Sequence, residues 1–278
     1  MSSELGVTGA TGNIGGRVAA LLAGRKAAMR LLVRDRSRSP SLPGCSVAQA
    51  SYGDFEAVRR ALDGVATVLM VSGSESPTRL DDHRTFVDAA AAAGVRHLVY
   101  TSFYGAAPDA TFTLARDHFV TEEHIKASGM GWTMLRDNLY LDFLPLMAGT
   151  DGVLRGPADG GRVSAVAQDD IAASAAAVLG DPAAHAGSTY DLTGPETRTL
   201  TEIADTMTDV LGRPFAFHDE TVEEAFASRA PYGAPDWQVE AWVSTYTAIA
   251  AGEMDGVSGD VERLTGRAPM SLRALLSR

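Results

Sequence analysis

A chain of 278 residues, 45% hydrophobic and 21% charged, carries enough apolar material for a large core, which excludes disordered, collagen-like and fibrous classes. Its net charge of −11 is unevenly held: residues 1–150 balance 15 basic against 15 acidic side chains, while residues 151–278 hold 9 against 20, which argues against a nucleic-acid partner. Cys45 is the only cysteine and the opening MSSELGVTGATG lacks the basic-then-apolar order of a secretory signal, so a cytoplasmic protein without membrane insertion is expected.

In chain order, an apolar run at 5–7 enters the glycine-rich segment 8–16, and Val18, Ala19, Leu21 and Leu22 follow at helical spacing. This predicts strand, turn, helix. The run 29–33 has no polar alternation, as in a strand buried on both faces of a parallel sheet. The pattern continues with a strand at 47–50, a helix at 55–62, a strand at 66–71, a helix at 80–93 closed by Gly94, a strand at 97–101, a helix at 116–128 and a sixth strand at 132–135. Strands alternating with helices give an α/β class, a Rossmann-type doubly wound parallel sheet. The division expected is an NADP-binding Rossmann domain over 1–145 and a small, mostly helical C-terminal substrate lobe over 146–278, some segments of which return to the Rossmann core. In the second part a helix is expected at 169–179 and a short strand at 188–192. Thr199 and Glu202 have capping-box spacing ahead of Ile203, Met207, Val210 and Leu211, which marks another helix.

The turn carries Gly9, Gly12 and Gly15 at GxxGxxG spacing, with Thr11, Asn13 and Ile14 between them. Glycine lets backbone approach a pyrophosphate, and the following helix offers unsatisfied amides and its positive dipole end. The strand–turn–helix context makes this a dinucleotide-binding signature. The second strand ends in Arg34-Asp35-Arg36, and seven of the eight charges between Arg17 and Arg38 are basic. Arg34 suits the 2′-phosphate of NADP, whereas Asp35 keeps the ribose hydroxyls of NAD as the alternative. Asp54, after the third strand, is placed at the adenine rim or as the N-cap of the next helix.

The chain has two lysines, Lys26 and Lys126, preceded four residues earlier by Leu22 and Glu122, so the YxxxK pair of typical short-chain dehydrogenases is absent. Walker A, HExxH and GxSxG patterns are absent too, and the six histidines have no metal-ligand spacing, so no metal is expected.

The segments TGATGNIGG (8–16), LLVRD (31–35), GD (53–54), VLMVSGSE (68–75), GVRHLVYTSF (94–103), LARDHFVTEEHIKASG (114–129) and WTMLRDNLYLDF (132–143) together resemble the NmrA-like atypical short-chain dehydrogenase/reductases. Within that family the chain is most similar to the NADPH-dependent quinone oxidoreductase and triphenylmethane reductase branch. The resemblance implies an NADPH-dependent transfer of hydride to a quinone or similar conjugated, electron-poor acceptor. It also implies that His118 and Glu122 stand where Tyr and Lys would be. The family's Asn after the sixth strand corresponds to Asn138, although Asp137 intervenes here after Leu135-Arg136. On this reading Ser72, Gly73, Thr101, Ser102 and Asn138 join the glycine turn around the cofactor, and His118, Tyr104 and Tyr140 contact substrate. The partner is an aromatic or conjugated small molecule, and the protein a monomer or homodimer. Two alternatives stay open: an NmrA-like redox sensor that binds dinucleotide without turnover, and a biosynthetic reductase or isomerase of a polycyclic metabolite.

Overall fold

The computed structural model describes residues 4–278; residues 1–3 of the opening segment, read above for a secretory signal, lie outside the described residues. The alternation becomes β1 (Glu4–Thr8), α1 (Asn13–Gly24), β2 (Met29–Val33), β3 (Cys45–Gln49), α2 (Phe55–Ala61), β4 (Val65–Met70), α3 (Arg79–Ala92), β5 (His97–Phe103), α4 (Thr113–Ala127) and β6 (Gly131–Asp137). It is followed by α5 (Leu144–Met147), β7 (Val153–Gly156), β8 (Arg162–Val163), α6 (Gln168–Val178), β9 (Ser188–Leu192), β10 (Arg198–Thr199), α7 (Leu200–Leu211), β11 (Ala216–Asp219), α8 (Val222–Arg229) and α9 (Asp236–Ala250). Among the described residues, seven strands form one sheet in the order β3-β2-β1-β4-β5-β6-β9. The pairs β3–β2, β2–β1, β1–β4 and β4–β5 are parallel, and the order reverses beside β1 as a doubly wound sheet requires.

The chain divides into two compact units that interleave along the sequence. The first comprises residues up to Ser102, Phe119–Arg136 and Asp169–Tyr190. Every position of β4 in it is buried, Thr67 included, as expected of a strand covered on both faces, and Val68, Met70, Phe86, Leu98, Tyr100 and Ile125 belong to its core. The second comprises Phe103–His118, Asp137–Gln168 and Asp191–Arg278. Its core gathers Leu141, Leu154, Ile203, Met207, Tyr246 and Ile249. The capping box at the start of α7 forms as read: Thr199 Oγ1 accepts from the Glu202 amide at 3.2 Å, and the Glu202 carboxylate accepts from the Thr199 amide at 2.8 Å.

Two details differ from the sequence expectation. The second unit contains short strands, β7 paired parallel with β11 and β8 antiparallel with β10, each of two to four residues and too short to show a period. Helix α4 starts at Thr113 rather than 116, because the Ser244 hydroxyl accepts the Thr113 amide at 3.2 Å and anchors the earlier turn.

Candidate functional site

In the first unit the chain leaves β1 through Gly9, whose φ of +64° is a left-handed conformation suited to glycine, and the Gly12 amide donates back to the Gly9 carbonyl at 2.8 Å. A Cβ on Gly15 would lie 2.4 Å from the Thr8 carbonyl oxygen, so a side chain there would push α1 off the end of β1. No side chain caps α1 at Gly12, and its first turn holds no acidic residue. First-turn amides that the helix cannot satisfy itself, together with its positive dipole end, are what a pyrophosphate binds. Thr11, Gly12 and Asn13 are exposed, and Ile14 is buried beneath them.

The end of β2 resolves a competition between neighbours. Asp35 turns its carboxylate onto the Ser37 amide and hydroxyl, at 2.9 and 2.7 Å, and those bonds hold it below the usual carboxylate range. Arg34, Asp35, Arg36 and Arg38 are all exposed, and with Asp35 Oδ1 taken up by Ser37 three guanidinium groups outnumber one carboxylate at the strand end. Asp54 N-caps α2 through the Ala57 amide at 2.9 Å.

The loop after β4 is held by three side chains on three successive amides. Thr8 Oγ1 accepts from Val71 N at 2.9 Å, Thr101 Oγ1 from Ser72 N at 2.8 Å and His83 Nε2 from Gly73 N at 2.8 Å. Arg79 Nε donates to the Gly73 carbonyl at 3.0 Å, and the Tyr52 hydroxyl to the Val71 carbonyl at 2.6 Å. An amide can only donate, so His83 Nε2 is unprotonated and Nδ1 donates to Thr121 Oγ1 at 3.0 Å. Burial, with the Arg79 charge adding to it, pushes the imidazole down to about 3. Sequence reasoning missed His83, since a lone helical histidine without a spaced partner gives no signal.

Ser102 and Glu122 lie at the heart of a second network in this unit. The fully buried Glu122 accepts from the Ser102 hydroxyl at 2.6 Å and from Arg136 through both Nε and Nη2, at 2.8 and 2.7 Å. Lys126 lies 3.8 Å away. The carboxylate that the family spacing pairs with His118 is thus committed to a bidentate ion pair.

In the second unit His118 is buried, its ring 6.1 Å from that of Phe103, which in turn packs 4.8 Å from Phe112. The Tyr104 amide donates to the Asp137 carbonyl at 2.9 Å and its hydroxyl to the Asp255 carbonyl at 3.4 Å. Burial, then the charges of Asp191 and Asp255, push its phenol up. Asn138 is fully buried: its amide group donates to Ser164 Oγ and the Met254 carbonyl, at 2.9 and 3.1 Å, and its oxygen accepts from Leu139 N at 2.7 Å. Tyr140 donates to the buried Asp137 carboxyl at 3.1 Å.

The residues fit a dinucleotide: a glycine turn that a Cβ would obstruct, an uncapped helix start and an exposed arginine at the second strand's end. Among the described residues no cluster of three or more His, Cys, Asp or Glu is arranged to hold a metal, and no helix is long and apolar enough to cross a membrane. Fold and cradle together define a dinucleotide-binding protein of the Rossmann type. A family model described as NAD(P)H-binding matches residues 9–182, and the chain belongs to that family as an NmrA-like member. It is 31% identical to quinone oxidoreductase 2 of Escherichia coli, over 98% of this chain and 97% of that protein. It is 36% identical to the (4-alkanoyl-5-oxo-2,5-dihydrofuran-3-yl)methyl phosphate reductase of Streptomyces griseus, over 94% of this chain and 92% of that protein. The solved triphenylmethane reductase of Citrobacter sp., complexed with NADP(H), superposes with a TM-score of 0.86 at 30% identity, covering 98% of each chain.

Proposed function

We propose that the protein is an NADPH-dependent reductase that delivers hydride to quinones or similar conjugated, electron-poor small molecules. The observation that carries the reading is the uncapped start of α1 behind Gly9 and Gly12, combined with an exposed Arg34 beside an Asp35 already bonded to Ser37. The cofactor supplies a hydride equivalent when bound. Gly9, Thr11, Gly12, Asn13 and Ile14 receive its pyrophosphate, and Arg34 its 2′-phosphate. Ser72 and Gly73 line the nicotinamide end, while the buried Thr101 and Ser102, with Asp54 and Asn138, act through the backbone and side chains they hold in place. Three relatives named as reductases of a quinone, an unsaturated lactone phosphate and a triphenylmethane dye support an acceptor whose new charge is delocalised. His118, Tyr104 and Tyr140 are the proposed acceptor contacts. The net charge of −11 favours a small-molecule partner over nucleic acid, and the protein works in the cytoplasm as a monomer or homodimer.

The test is anaerobic oxidation of NADPH and NADH by the purified protein against quinones, unsaturated lactones and cationic dyes, beside cofactor titrations. Acceptor-dependent NADPH loss is expected. Tight NADPH binding without turnover across all three classes overturns the reading in favour of a sensor.

A further inference from the structure

Several acids of the molecule are buried, and two of them lie against a guanidinium. Glu122 holds Arg136 and Glu220 holds Arg229, the latter at 2.9 Å, so each of these carboxylates is compensated by a guanidinium. Asp137 is equally buried and has no cationic partner among the described residues; its carboxyl oxygen Oδ2 meets the hydroxyl of Tyr140 at 3.1 Å. An isolated buried carboxylate is strongly disfavoured, so such a group keeps its proton. Asp137 is also the last residue of β6, and in open α/β sheets the groups that meet ligands collect outside the strands' carboxyl ends. The half-buried phenol of Tyr140 links this sealed carboxyl to less enclosed surroundings.

We propose that Asp137 and Tyr140 form a proton-delivery pair for the acceptor, Tyr140 giving its hydroxyl proton to the acceptor atom that becomes anionic and Asp137 replacing it. This rests on the reductase reading. Hydride addition to a quinone leaves one oxygen as an alkoxide or phenolate. With the acceptor bound, the protonated Asp137 turns its O–H to donate to the Tyr140 oxygen, which frees the phenol O–H for the acceptor; the anionic oxygen takes the Tyr140 proton as that O–H bond breaks, and the Asp137 carboxyl proton passes to the phenolate. Asp137 is left as carboxylate and regains a proton from solvent once product departs. The sum is NADPH, quinone and one proton giving NADP and hydroquinone. A cationic triphenylmethane dye differs in one respect: hydride alone neutralises its central carbon, so it needs no proton. Burial holds the Asp137 carboxyl well above the ordinary carboxylate range, which agrees with a group kept loaded, and the ionisable group at hydrogen-bond distance from it is Tyr140.

The two acceptor classes give the test. Asp137→Asn and Tyr140→Phe are compared with the unaltered protein for kcat on a neutral quinone and on a cationic triphenylmethane dye, with NADPH saturating. The ratio of quinone to dye turnover is expected to fall about a hundredfold in both variants, the usual scale of a lost proton-transfer catalyst. A packing role for the pair predicts equal losses on both acceptors, and that result overturns the proposal. A second readout needs no turnover and no variant: carboxyl-labelled cofactor-free protein, in which the Asp137 ¹³C resonance should remain in its protonated position at pH values where ordinary aspartates, near pKa ~4, have ionised. Titration of Asp137 in that ordinary range overturns the proposal even where a variant fails to fold. Unaltered protein that oxidises NADPH with neither acceptor sinks the reductase reading and this one with it, whereas normal turnover with an unchanged ratio sinks only the proton-delivery pair.

Discussion

Arg34 shows how one residue's role depends on what occupies its neighbour. In the linear sequence Arg34 and Asp35 compete for the cofactor's ribose, one suited to a phosphate and the other to hydroxyls. In the fold both side chains are exposed, but Asp35 spends Oδ1 on the Ser37 amide and hydroxyl, which favours the guanidinium as the group that meets a phosphate. A charge-assisted hydrogen bond contributes about 1.5–3 kcal/mol, or roughly 10- to 100-fold in affinity. Arg34→Ala should therefore weaken NADPH by about that factor and NADH little, read by fluorescence titration of both cofactors. Equal weakening of the two would show that Arg34 does not bind a phosphate.

At the scale of elements, the cradle depends on how closely α1 and the β4–α3 loop are drawn to the strands that precede them. Gly15 is where α1 touches the end of β1: a Cβ there would meet Thr8 and Gly9 backbone atoms at 2.4–2.5 Å, and backbone cannot turn aside as a flexible side chain can. Gly15→Ala is expected to lower stability by about 1–3 kcal/mol, the range for overpacking, and to reduce NADPH affinity in proportion to the shift of α1. Thermal unfolding with and without NADPH measures both; a variant as stable and as tightly binding as the parent would show that α1 can move without consequence. The β4–α3 loop is fixed differently, with Thr8, Thr101 and His83 each satisfying one of three consecutive amides. Those amides are spoken for, so Ser72 and Gly73 can meet a cofactor only through other atoms.

For the whole molecule, the buried titratable groups set how stability varies with pH. The unfolded chain protonates His83 near 6.5, whereas the folded protein resists until about 3, where the imidazole's acceptor role toward Gly73 fails. Between those values the unfolded state binds more protons, so this group's contribution is present above pH 6.5 and is lost as pH falls toward 3, about 5 kcal/mol at full extent. His83→Gln retains an acceptor without titrating. The stability of the parent relative to this variant should decline from pH 7 to pH 4.5 in denaturant unfolding, and a flat difference would show that His83 is not buried as a neutral base. Asp137 works in the opposite sense: its raised folded value favours the protonated state, so its contribution is lost as pH rises through that value.

Local physics made much of this legible in advance. Largely apolar runs such as 29–33, the GxxGxxG turn before a helix and the Thr199–Glu202 capping box each act over a few residues, so the doubly wound sheet and the glycine turn could be read from the chain alone. The sequence likewise excluded a YxxxK pair, because that test needs only spacing. Which polar group faces which was not legible. Glu122 stands four residues from His118 in the sequence, yet it is bound to Ser102 and Arg136, 20 and 14 residues away. His83 reaches Thr121, 38 residues on, and Asn138 reaches Met254, 116 residues on. Backbone conformation follows from neighbours along the chain, but a buried polar side chain takes whichever partner the packing of distant segments brings to it, and only the tertiary structure decides that.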